Sequence, residues 1–88
     1  MGLKRYKKAD RVYQSCLRIF RRRLGPSHFE TAMTLAGIGV LRFKQHRLRS
    51  ALRYFMSARR ILEKARQTYP VELGMVMNNL AVVQKAMR

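Results

Sequence analysis

Acid is nearly absent from this 88-residue chain: four Asp and Glu stand against 20 Lys and Arg, a formal net charge of +16. The four carboxylates and two histidines leave little for general acid–base chemistry, so no enzyme and no cofactor is expected. The one cysteine, Cys16, cannot form an internal disulfide, which excludes a disulfide-stapled secreted scaffold. No apolar run approaches the roughly 18–20 residues that a membrane span needs. Prolines number two and glycines five, and 48% of the residues are apolar, which excludes a disordered basic tail. What is left is a small, soluble, very basic globular piece, too short for two lobes with a cleft between them.

The few residues that could carry chemistry have plainer readings. His28 falls at a helix start and His46 in a turn. Gly37-Ile38-Gly39 lies inside a helical pattern and lacks the Lys-Ser/Thr of a phosphate loop, so its glycines are expected to permit close helix packing. No His or Cys spacing suits a metal. The six methionines are expected in the core or at an assembly contact.

Punctuation divides the chain into four segments, about 3–24, 28–44, 47–67 and 71–87. The breaks are Gly25-Pro26-Ser27, a polar turn centred on His46, and Tyr69-Pro70. Apolar residues recur at three- and four-residue steps in each, as in Tyr6, Ala9, Tyr13, Leu17 and Phe20, or Leu48, Ala51, Phe55, Ala58 and Leu62. Sustained strand alternation occurs nowhere, so the predicted class is all-α, four antiparallel helices in one domain spanning 1–88. Gly25 suits the residue past a helix end, where φ is positive. Ser27 through Glu30 reads as a capping box, with Ser27 at the N-cap.

Shifting the sequence by 42 residues brings Ala9 onto Ala51, Tyr13 onto Phe55, Cys16 onto Ala58 and Arg18-Ile19-Phe20 onto Arg60-Ile61-Leu62. Glu30 meets Glu72, Leu35 meets Met77 and Ile38 meets Leu80. Small residues match small and large apolar residues match large, which marks an internal repeat. By that match Cys16 is expected to be a small buried residue.

The repeat resembles the tetratricopeptide repeat in its 42-residue form, as in kinesin light chains. The matching pieces are Tyr6 through Tyr13, Cys16-Leu17-Arg18-Ile19, Leu24-Gly25-Pro26-Ser27-His28, Thr34-Leu35, and Met77-Asn78-Asn79-Leu80-Ala81. The resemblance implies a short α-solenoid of about two repeats with helices in the order B-A-B-A, and a protein-interaction role without catalysis. It implies close helix approach at Ala9 and Ala51. It also implies that A-helix asparagines line a concave peptide groove, at Asn78 and Asn79, while Ala36 and Gly37 hold those places in the preceding A helix. About three repeats make a self-sufficient stack, so this chain is expected to lean on other subunits rather than persist as an isolated monomer.

Charge is distributed unevenly along these segments. The two B-like segments hold 16 of the 20 basic residues and a net +14, the two A-like segments a net +2. Arg outnumbers Lys 14 to 6, and Arg is the better residue for bidentate phosphate contact. In the resembled architecture the B helices form the convex face. The residues expected to meet an acidic partner are therefore Lys4, Lys7, Lys8, Arg11, Arg18, Arg21, Arg22 and Arg23 on the first, and Arg49, Arg53, Arg59, Arg60 and Lys64 on the second. RNA in a ribonucleoprotein is the first reading of that partner. An acidic protein surface and an anionic membrane surface are the others, with peptide or cargo binding in the groove a further alternative. The first 23 residues, cationic, amphipathic and nearly free of acid, resemble a mitochondrial presequence, so the mitochondrion is the expected compartment and the cytosol the alternative. Met1-Gly2 is a weak myristoylation signal, because Tyr6 stands where Ser or Thr is wanted.

Overall fold

The computed structural model describes residues 3–88, with side chains from Tyr6 onward. The Met1-Gly2 signal and the side chain of Lys4 lie outside the described residues.

Four helices follow one another: α1 (Leu3–Arg23), α2 (Phe29–Lys44), α3 (Leu48–Lys64) and α4 (Pro70–Ala86). The described residues contain no strand. α2 and α4 end 42 residues apart, at Lys44 and Ala86, in step with the sequence repeat. α2 packs against α1 and α3 and approaches α4, α3 packs against α4, and among the described residues the backbones of α1 and α3 do not approach each other. In a curved stack the helices that approach one another lie inside and those held apart lie outside. α2 and α4 therefore form the inner layer, α1 and α3 the outer. The molecule measures 37 × 31 × 17 Å, and its short dimension fits two helix layers.

The core lies between the layers and centres on Ile38, Phe55, Leu62, Val76 and Val83. Small residues set the helix crossings. Ala32, Ala51 and Ala58 are fully buried, and Ala9 is half-buried. A Cβ on Gly37 would stand 2.7 Å from the Tyr13 ring, and one on Gly39 would stand 2.9 Å from the Phe55 ring. Both glycines thus let an aromatic side chain of the outer layer rest on the α2 backbone. Cys16 is only half-buried, unlike its repeat equivalent Ala58. The reason is position: α3 is held between α2 and α4, whereas among the described residues α1 packs on α2 alone.

The turns differ from expectation in detail. Gly25 ends the first helix at φ 97°, and its N–H donates to the Phe20 carbonyl at 3.1 Å. The N-cap of α2 is His28, not Ser27: the Glu30 N–H donates to His28 Nδ1 at 3.1 Å. The Thr31 hydroxyl donates to the Gly25 carbonyl at 2.9 Å, folding the turn tightly and leaving Ser27 exposed within it. No capping box forms. After α2, His46 takes φ 60°. Its N–H donates to the Phe43 carbonyl and that of Arg47 to the Arg42 carbonyl, both at 2.9 Å. This is a Schellman closure with histidine in the left-handed position that usually holds glycine. α3 stops at Lys64 instead of near 67, because residues 65–68 turn to carry Tyr69 onto Phe29. Those two rings stack with centroids 4.1 Å apart.

Candidate functional site

The exposed surface of the two outer helices is rich in cations. On α1, Lys7, Lys8, Arg11, Arg18, Arg21, Arg22 and Arg23 are exposed; on α3, so are Arg49, Arg53, Arg60 and Lys64. Arg59 is half-buried and pairs with Glu63 at 3.4 Å, one turn on along the same helix. Such exposed pairs contribute about 0.3–0.5 kcal/mol, and the contact occupies part of Arg59's hydrogen-bonding capacity. Arg18 and Arg60 hold equivalent places in the repeat, so each outer helix presents an arginine at that position.

Two shallow hollows concentrate that charge. One, of about 410 Å³, is lined by Gln14, Leu17, Arg18, Arg21 and Arg22 on α1. The other, of about 720 Å³, lies where α3 begins, between His46, Arg47, Arg49, Ser50 and Arg53 and the end of α4 at Ala86 and Met87. The helix ends differ electrostatically. Arg21, Arg22 and Arg23 occupy the last turn of α1, where cations complement the helix dipole. At the start of α3 there is no acidic residue in the first turn and no side-chain cap, and Arg47 and Arg49 stand against the dipole. The unfilled backbone N–H groups there and the arginines beside them favour the same ligand, an anion.

One basic residue of the inner layer is withdrawn from solvent. Arg42 is 7% exposed. Its Nη2 donates to Asp10 Oδ1 at 2.8 Å and its Nη1 to Gln45 Oε1 at 3.2 Å, while its guanidinium lies 5.8 Å from the centre of the Tyr54 ring. Sequence reasoning counted Arg42 as inner-face charge; it is instead a tie between α1, α2 and α3. The only hint was its position on the apolar stripe of α2 beside Leu41.

The inner face is mostly apolar. Tyr6, Tyr13, Gly37, Val40 and Lys44 line a hollow of about 220 Å³. A second of about 100 Å³ adjoins it at Val40, among Phe43, Phe55, Asn79 and Val82. Of the two predicted groove asparagines, Asn79 lines this second hollow and Asn78 does not; Asn78 is exposed elsewhere on α4. Among the described residues no cluster of His, Cys, Asp and Glu is placed to hold a metal ion. No described helix is long and apolar enough to cross a membrane.

Compared with known proteins, the sequence matches the tetratricopeptide repeat family over residues 1–64. Comparison with curated proteins and with solved structures returned no match.

Proposed function

The chain belongs to the tetratricopeptide repeat family, whose members are protein-interaction modules, and on that premise we propose that it is a non-catalytic adaptor in a ribonucleoprotein, joining protein subunits while its outer face lies on RNA. The observation that carries this reading is the one-sided charge: a net +14 on the outer-helix segments against +2 on the inner ones. Solubility does not require such a balance. The preference for arginine fits phosphate, and the cations at the start of α3 weaken that helix where they would hold an anion. The contact would be to backbone phosphates, and hence insensitive to base sequence and sensitive to salt. The presequence-like first 23 residues favour the mitochondrion as the compartment.

The test is fluorescence anisotropy with a labelled single-stranded RNA at fixed ionic strength. Reversing Arg18, Arg22 and Arg60 together to Glu replaces three attractions by three repulsions and is expected to weaken binding by roughly tenfold or more. Changing Asn78 and Asn79 to Ala is expected to change it less than about twofold, since neither lies on the cationic face. RNA binding that survives the reversals overturns the reading. If the reversals leave assembly with partner proteins intact and the asparagine changes abolish it, the inner groove is the working surface and peptide capture is the function.

A further inference from the structure

The repeat permits α2 and α4 to be compared position by position, and one side of α4 is uncovered. Ala32, Leu35 and Gly39 are buried on α2, whereas their equivalents Gly74, Met77 and Ala81 are exposed on α4. Leu35 is 3% exposed and Met77 48%. The helix that covers this side of α2 is α3, whose Phe55 ring lies on Gly39 and whose Tyr54 lies by Arg42.

The repeat equivalent of α3 is α1, and α1 has a matching deficit. Tyr54 and Ile61 pack against the core, but their equivalents Val12 and Ile19 are 56% and 51% exposed. Val12 and Ile19 stand two turns apart on one stripe, as do Gly74 and Ala81. Among the described residues, therefore, no inner helix covers the apolar stripe of α1 as α2 covers that of α3, and no outer helix covers the stripe of α4 as α3 covers that of α2. Small residues on α4, Gly74 and Ala81, leave room for the close approach that Ala32 and Gly39 give α2.

We propose that these two stripes are partners between copies: α1 of a second copy docks on α4 of the first and repeats the α2–α3 interface across the junction. Consecutive helices joined by a short turn run antiparallel, so Glu72 in the first turn of α4 meets the end of the incoming α1 that carries Arg21, Arg22 and Arg23. The contact is heterologous, and each docked copy exposes a fresh α4, so copies add head to tail instead of closing as a symmetric pair. A formal charge of +16 on each copy opposes docking. Salt screens that repulsion, and self-association therefore strengthens as salt rises, opposite to phosphate binding.

Sedimentation of the 88-residue chain tests this without RNA. The weight-average mass is expected to rise with concentration, to pass that of a dimer, and to rise further with ionic strength. Ile19→Glu blocks the α1 stripe and Ala81→Glu the α4 stripe. Each variant alone is expected to remain monomeric, and an equal mixture to form a dimer and stop, because each supplies the stripe the other has lost. Circular dichroism checks that both keep wild-type helicity; if either does not, the wild-type series decides. The proposal is overturned by a wild-type chain that stays monomeric at high concentration and high salt, or by growth that halts at a symmetric dimer. A mixture of two helical variants that remains monomeric overturns it as well.

Discussion

Arg42 shows how one residue reverses its role between sequence and structure. It counts as positive charge in the composition, yet its guanidinium is buried between Asp10, Gln45 and Tyr54. The two ends of the ion pair are not equally enclosed: the Arg42 side chain is 9% exposed and the Asp10 side chain 33%. Loss of the partner therefore costs more on one side. Asp10→Ala strands a buried cation and is expected to destabilise by about 2–3 kcal/mol. Arg42→Met leaves a carboxylate that water can reach and is expected to cost clearly less. Urea denaturation of both variants measures the difference, and equal costs would mean that the pair acts through packing alone. The tie joins residues 32 positions apart, and no local pattern announces a contact at that distance. The glycines were legible for the opposite reason: Gly37 and Gly39 fall inside a helical pattern, where a missing side chain suits close helix packing, and they receive Tyr13 of α1 and Phe55 of α3 respectively.

For the elements, periodicity located all four helices, because each needs a continuous apolar stripe and the stripes repeat. Their ends were less legible. Gly25 announced its turn through its own backbone freedom, but the α2 cap depended on whether Ser27 or His28 reached the extended conformation, and the turn closed by Thr31 decided it. The start of α3 goes against local helix preference, with arginines at the positive end of the dipole. Arg49→Glu removes that conflict. It is expected to stabilise the fold by about 0.3–1 kcal/mol while weakening RNA binding. Thermal melting and anisotropy on the same variant check the pair of effects. A variant that loses stability, or that binds RNA as well as the wild type, would show that this helix start is not placed for an anion.

For the whole molecule, two features set the behaviour: a two-layer stack with uncovered inner and outer stripes, and a formal charge of +16. The layering was legible through the resemblance to the tetratricopeptide repeat, which implies that the B-like helices lie outside, while the 42-residue match says which helices are equivalent. The open stripes were not, since Val12, Ile19 and Met77 fall outside the apolar series that periodicity marks on their helices, and their exposure shows only once the helices are packed. Self-repulsion lowers the stability of the compact form, and a polyanion on the outer face relieves it. The most direct measurement is the affinity for single-stranded RNA across a range of salt concentrations, for the wild type and for the chain with Arg18, Arg22 and Arg60 reversed to Glu. The account predicts a linear log–log decline of about 0.7 per neutralised phosphate. The reversed chain should lose roughly 2 from that slope, the share of three phosphate contacts. A salt-independent affinity, or a slope that the three reversals leave unchanged, would contradict it.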